Sequence, residues 1–301
     1  MATELPVQLG GEPMCLLGPR ALWWPARQAL LIADLHLGKA DVFRRAGIAL
    51  PSGGTEDDLQ RLQALVQQQA CRELWILGDI LHGPAHRAAW HRQWLGWREQ
   101  HAALDVHVVR GNHDRRVAQD PADEPMWPSD RYARERLTKA QREALLGLPL
   151  TLEIAPGVIA FHARPDHDEK YLADAVVDGQ LVRAPLAAIR RRLTSLDPAC
   201  RLVLCGHSHR SELIRIPGGP IIFNPGSVGC PAYDDDTPPA HVSEQGTPHA
   251  RYGIVELDSQ DRPHRFETFA VDYDHEAAAR QAEAARRPEW AHALRTGFMK
   301  D

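Results

Sequence analysis

Three features of the 301-residue chain predict an α/β fold. Short runs rich in Val, Ile and Leu recur along it at strand length, as buried strands do. Segments of helical period separate the early runs. Nearly every run ends at once in polar residues able to hold a metal. Strands alternating with helices form α/β sheets, and in such sheets ligands gather outside the carboxyl ends of the strands. The third feature is therefore a functional signal as well as a structural one.

The elements follow in order. ALLIADLH ends in Asp34 and His36. TEDDLQRLQALVQQQA, residues 55–70, places Leu59, Leu62, Leu65 and Val66 on one helical face. ELWILGD ends in Asp79. A helix over 86–101 carries Trp90, Trp94 and Trp97 at helical spacing, read as a packing stripe rather than a platform for stacked bases. VHVVRGNHD ends in Asn112, His113 and Asp114. Residues 118–130, with three prolines and several acids, read as a loop. Residues 131–146 and 183–196 read as helices. Between them VIAFH ends in His162; beyond them RLVLCGHSH ends in His207 and His209, and PIIFNPGS in Asn224 and a Pro-Gly turn. YDDDTPPAHVSEQGTPHA, residues 233–250, reads as a polar, Pro-containing loop within the stretch 231–249. RYGIVEL reads as another strand, and 275–296 as helix on either side of Pro288. No internal repeat or linker interrupts the chain. The expectation is one domain, 1–301, with 231–301 as a C-terminal extension of it.

Composition sets the outer limits. Hydrophobic residues at 44% allow a sizeable core, and charged residues at 25% are ordinary for a globular protein. The net charge of -5 supplies no global positive field for nucleic acid or an anionic membrane. Cysteines at 15, 71, 200, 205 and 230 are odd in number and include no CxxC pair, which excludes a disulfide framework and points to a reducing compartment. Cys205, following an apolar run, reads as a buried residue. No run reaches the ~20 apolar residues of a membrane span, and MATELPVQLGGEP lacks the layout of a signal peptide. A cytoplasmic protein is expected, with no membrane partner.

The strand-end residues suit divalent metals. In Asp34-x-His36 the two side chains, i and i+2 at a strand end, point the same way, so a carboxylate and an imidazole reach one cation. His207-x-His209 allows the same, or a turn that sends each histidine to a different metal. Asp79 has two oxygens and can bridge, Asn112 offers a neutral carbonyl, and His162 adds a nitrogen. This mixed N/O set without thiolate favours Mn²⁺, Fe or Zn²⁺ over a Cys-rich structural zinc. Two metals ~3.5–4 Å apart lower the pKa of a bridging water and clamp a phosphoryl group for in-line attack. His113 then fits the general acid beside the leaving oxygen, with Asp114 orienting its imidazole. No single element is specific. The ordered series DxH, GD, GNHD, strand-end His and GHxH is.

That series resembles the calcineurin-like metallophosphoesterase superfamily over residues ~30–230. The resemblance implies an αββα two-sheet sandwich and a dinuclear centre. Asp34, His36, Asp79 and His209 would hold one metal; Asp79, Asn112, His162 and His207 would hold the other. Mn²⁺ is the first expectation, with Fe, Zn²⁺ and Ni²⁺ as the other candidates, and His113 would be the catalytic histidine. Residues 20–115, including RALWWPARQALLIADLHLGKADVFRRAGIALPSG, resemble ligase-associated PdeM-type endonucleases. Residues ~130–301, with GHSH, FNPGSVGCPAYDDD, TPHARYGIVEL and EWAHALRTGF, resemble the YfcE-type branch, which includes diadenosine-tetraphosphatase-like proteins. The chain departs from both. The PdeM type lacks the long tail. The YfcE type has Gly-Asn after its DxH motif, where Leu37-Gly38-Lys39 stands here, and Gly where Ala163 stands.

Lys39, Arg44 and Arg45 follow the first motif and Arg164 follows His162, so Lys39, Arg44 and Arg164 are candidate contacts for substrate phosphates. His167, Asp168 and Tyr171 fall in the same stretch. The leading reading is a hydrolase of phosphomonoesters or phosphodiesters. The alternative is the same chemistry on DNA or RNA, which the net charge does not favour. A non-enzymatic scaffold of this fold ranks last, because His113 and all seven ligand positions are present. Oligomeric state is not legible.

Overall fold

Each run predicted as a strand that falls within the described residues is hydrogen-bonded into a sheet. The computed structural model describes residues 4–9, 12–17, 21–33, 35, 37, 55–77, 89–119, 134, 135, 137–258, 260, 262–284 and 287–300. They belong to two compact units, Met1–Leu150 and Thr151–Asp301, each with its own core.

The first unit holds a six-stranded sheet in sequence order: β1 (Glu4–Leu9), β2 (Glu12–Leu17), β3 (Ala21–Trp24), β4 (Ala29–Ala33), β5 (Glu73–Leu77) and β6 (Asp105–Val109). β1 to β4 pair antiparallel, whereas β4, β5 and β6 are parallel. Parallel neighbours need crossovers, and the intervening chain carries α1 (Thr55–Gln68) and α2 (Ala89–Gln100). The predicted face of α1 is the buried one: Leu59, Leu62, Leu65 and Val66 join Leu30, Leu74 and Ile76 of the sheet in the core. Trp97 is in that core too, stacked on Trp94 with ring centroids 5.4 Å apart, so these two members of the tryptophan stripe are packing residues. Ala33, Leu77 and Val109 are aligned across β4, β5 and β6, which brings three carboxyl ends level. After β6 the chain enters α3 (Asn112–Ala118), and later α4 (Lys139–Leu146), capped by the Thr138 hydroxyl. α4 covers the described end of the predicted helix 131–146; residues 120–133, and with them nearly all of the predicted loop 118–130, lie outside the described residues.

Among the described residues the second unit contains three sheets. β7 (Thr151–Ala155), β8 (Val158–Phe161), β11 (Leu202–Leu204), β12 (Glu212–Arg215) and β13 (Ile221–Asn224) form one in the order β12-β13-β11-β8-β7. β8, β11 and β13 are parallel, and Ala160, Leu204 and Phe223 align, so three carboxyl ends are again level. β9 (Asp174–Val177), β10 (Gln180–Arg183), β14 (Ala232–Asp235) and β15 (His241–Glu244) form the second, ordered β14-β15-β10-β9. β16 (Ala250–Leu257) and β17 (Pro263–Val271) form a two-stranded ribbon. α5 (Leu186–Arg192) contributes Ile189 to a core with Phe161, Leu172, Val203 and Ile222. α6 (His275–Ala284) and α7 (Pro288–Thr296) pack through Ala279, Ala282 and Ala291, and Arg295 pairs with Glu276 and Glu283.

Several expectations are corrected here. The polar segment 233–250 is not a loop: it contains β15 and most of β14, paired antiparallel from Ala232–Glu244 to Asp235–His241. Its buried face is polar, with His241 and Ser243 8% and 1% exposed, and hydrophobic periodicity cannot register such a face. The helix predicted over 183–196 is shorter, because Gln180–Arg183 pairs with β9 and Pro185 stands at the helix start. β1, β2 and β3 have no counterpart among the predicted runs; Pro6 and Pro13 interrupt the first two, and β1 is an edge strand, where proline is tolerated. Among the described residues no helix is long and apolar enough to cross a membrane. The five cysteines are free.

Candidate functional site

Of the candidate residues, Asp34, His36, Lys39, Arg44 and Asp79 lie outside the described residues. The described ones fall into one group in each unit.

In the first unit, β6 delivers the chain to α3, and Asn112, His113 and Asp114 form the first turn of that helix. The turn is closed locally. The Gly111 N–H donates to Asp114 Oδ2 at 3.0 Å, and the Arg115 N–H donates to the Gly111 carbonyl at 3.3 Å. Asn112 and Asp114 are buried, while His113 between them is partly exposed. A histidine that reaches solvent, held between two buried anchors, can meet a substrate without rebuilding its surroundings.

In the second unit, His162 directly follows β8, and His207 and His209 lie on the turn after β11. The His162 and His207 rings are 5.1 Å apart. Both turn histidines have left-handed backbones, with φ of 63° at His207 and 57° at His209. Such a conformation costs a non-glycine residue about 1–2 kcal/mol, and it persists only where the surroundings impose it. Here they do. The Gly206 N–H donates to the His162 carbonyl at 2.9 Å. Asn224 Nδ2 donates to the Gly206 carbonyl at 2.9 Å and to Ser208 Oγ at 3.2 Å. Ser243 Oγ donates to the Ser208 carbonyl at 2.6 Å.

His209 Nδ1 lies 3.0 Å from the Cys230 carbonyl, an acceptor only, so Nδ1 carries a proton. Against His207 lies the Tyr171 ring, 5.0 Å away and tilted by 29°. The Tyr171 hydroxyl is 2.8 Å from that of Tyr233 and 2.8 Å from His241 Nε2. Burial pushes both tyrosine hydroxyls above their ordinary range, so both keep their protons at neutral pH. Burial likewise pushes the Cys205 thiol, beside this turn and partly buried as a residue, up to about 12, which keeps it a neutral packing group. Asp174, beneath the turn, pairs with Arg210 at 2.7 Å, yet burial still raises its carboxyl.

Arg164 does not stand apart as a bare charge: its Nε and Nη2 donate to the two carboxylate oxygens of Asp166 at 2.9 and 2.8 Å. Tyr233, His241 and Ser243 belong to the network around the turn, although the composition of 233–250 predicts a loop. The one available signal was the i, i+2 spacing of His241 and Ser243. Among the described residues no three His, Cys, Asp or Glu side chains gather closely enough to hold a metal; three of the seven proposed ligands lie outside that set.

The model of the calcineurin-like phosphoesterase superfamily domain matches residues 28–245. Among solved structures, the chain is similar to a nuclease MPE from Pseudomonas putida at 25% identity, over 74% of this chain and 86% of that one, with a TM-score of 0.39. It is similar to a metallophosphoesterase from Sphaerobacter thermophilus at 19% identity, over 90% and 98%, with a TM-score of 0.47. A hypothetical protein from Pyrococcus horikoshii is 16% identical over 90% and 98%, with a TM-score of 0.48. No curated protein matches the chain.

Proposed function

We propose, from the premise that the chain belongs to the calcineurin-like phosphoesterase superfamily and is a hydrolase of phosphoric esters that uses divalent metal ions, that it acts through a dinuclear centre on small phosphomonoesters or phosphodiesters. Asp34, His36, Asp79 and His209 would hold one metal, and Asp79, Asn112, His162 and His207 the other. The chain would act as a single metallophosphoesterase domain, 1–301. Mn²⁺ is the first candidate for either position.

The observation that carries this reading is the turn at 206–209. Two histidines keep left-handed backbones there, and one of them has its Nδ1 proton committed to a carbonyl. An oxygen and nitrogen donor set with a fixed tautomer suits a divalent cation of the Mn²⁺ or Zn²⁺ kind. When bound, the metals supply Lewis acidity, lowering the pKa of a water and offsetting charge on the phosphoryl oxygens. The chain's own residues do the rest. His113, on its closed turn, holds the proton that the leaving oxygen takes up. Asp114, whose Oδ2 accepts the Gly111 N–H, would orient the His113 imidazole. Lys39, Arg44 and Arg164 are proposed contacts for the remaining phosphate charge.

The second reading, a nuclease with the same centre, is favoured by the resemblance of residues 20–115 to PdeM-type endonucleases. One experiment tests both. Chelator-stripped protein is assayed on phosphomonoesters, aryl phosphodiesters, dinucleoside polyphosphates and single-stranded or nicked DNA, with and without Mn²⁺. The expected result is no hydrolysis without metal and recovery with Mn²⁺ on small esters. Full activity in the metal-free protein would overturn the metal assignment, and turnover confined to DNA would select the second reading. A reducing, cytoplasmic location remains part of the proposal and is consistent with five free cysteines.

A further inference from the structure

Two aromatic rings stand against the two turn histidines. Tyr171 lies against His207, and the Tyr233 ring meets His209 edge-on, with centroids 5.0 Å apart and planes at 75°. The two tyrosines come from different places, Tyr171 from the segment after β8 and Tyr233 from β14, but their hydroxyls are joined at 2.8 Å.

The hydrogen bonds of this chain run in one direction. His241 Nδ1 is 2.8 Å from the Pro239 carbonyl, which can only accept, so Nδ1 carries the hydrogen. In the neutral ring Nε2 must then accept, and it takes the Tyr171 O–H. The Tyr171 oxygen is thereby free to accept the Tyr233 O–H. The His207 carbonyl, 3.3 Å from the Tyr233 hydroxyl, is a longer second acceptor for the same hydrogen. Every hydrogen in the chain is assigned, from Tyr233 through Tyr171 and His241 to the backbone. β15 supplies both its end and a brace for the turn, since His241 and Ser243, two residues apart on one strand, share its buried face.

We propose that Tyr171, Tyr233 and His241 are positioning residues that fix the ring orientations of His207 and His209 for metal binding. The proposal rests on the metal-ligand reading of those two histidines. A ring stacked on an imidazole limits its rotation about χ2 only if the ring is itself held, and the hydroxyl chain holds both tyrosines. Loss of an outer-shell partner of this kind typically weakens metal binding about 10–100-fold.

The test uses the full chain, stripped of metal and titrated with Co²⁺, whose visible absorption reports ligand geometry as well as occupancy. Tyr171→Phe keeps the ring but cuts the chain, and His241→Leu removes its end. Each should weaken Co²⁺ binding about 10–100-fold and alter the visible bands, while the metal-free protein melts within a few degrees of wild type. His241→Gln, whose side-chain oxygen can accept where Nε2 did, should restore binding to within a few-fold of wild type. Wild-type affinity and spectrum in Tyr171→Phe and His241→Leu would overturn the proposal and leave the metal reading intact. So would weakening that merely tracks a loss of metal-free stability. Failure of the wild-type chain to take up Co²⁺ would overturn the metal reading and the proposal with it. Should His241→Leu not fold, Tyr171→Phe against wild type decides the matter.

Discussion

At the scale of single residues, backbone strain and a solvent-reaching histidine give the sharpest expectations. His207 holds φ at 63°, a region where glycine has no penalty and alanine does. Replacing His207 by glycine or by alanine removes the same imidazole and the same stack on Tyr171. The two variants should therefore differ mainly in backbone strain, with His207→Gly more stable than His207→Ala by about 1 kcal/mol. Chemical denaturation of the metal-free proteins measures this, and equal stability would show that the turn relaxes when the ring is lost. His113 is a different case, because its proposed work is to move a proton. Removing a positioned acid typically slows turnover by ~10²–10⁴-fold. His113→Ala should lose that much kcat while its metal content, read by elemental analysis, stays at the wild-type level. The loss should be smaller for nitrophenyl esters, whose leaving group needs little protonation, and larger for alkyl or nucleoside esters. Loss of metal from the variant would make His113 a ligand instead.

Among the described strands, β15 departs from hydrophobic patterning. Its inward side chains are His241 and Ser243, while Val242 faces the other way and is only partly buried. Ser243→Ala strips the hydrogen-bond donor from the Ser208 carbonyl in a buried setting, which should cost about 1–3 kcal/mol. For a domain of this size each kcal/mol lowers the melting temperature by roughly 2–4 °C. An unchanged melting temperature would mean that the turn does not depend on this strand. The same element shows where the sequence was silent. β5, β6, β8 and β13 were legible because apolar runs stop at polar residues, and α1 because Leu59, Leu62, Leu65 and Val66 repeat at helical spacing. Asn112, His162, His207 and His209 follow the ends of β6, β8 and β11, the positions that the same rule singles out. β14 and β15 were not, since Tyr233, His241 and Ser243 are buried through hydrogen bonds rather than through apolar area. Their surroundings, two adjacent prolines and three consecutive acids, also carry the composition of a loop.

For the molecule as a whole, charge and the shared hydroxyl chain have the widest reach. A net charge of -5 gives nucleic acid no long-range attraction, and non-specific DNA affinity is set by cations that displace counterions from phosphates. The protein at ~10 μM should not retard a short duplex at physiological salt in a mobility-shift assay, whereas a basic non-specific binder with a Kd of about 10⁻⁶ M would. Clear retardation that weakens steeply with added salt would reveal a local basic groove and favour the nuclease reading. The hydrogen bonds joining Tyr171, Tyr233 and His241 bear on the history of the molecule as well as on its chemistry. Removing one of three linked groups leaves a buried neighbour unsatisfied, so a single change is penalised where a concerted one is not. In related chains, positions 171, 233 and 241 should thus be inherited as a set. Lineages that have lost one hydroxyl should have exchanged its neighbours for apolar side chains, and would carry a differently furnished wall behind the same two histidines.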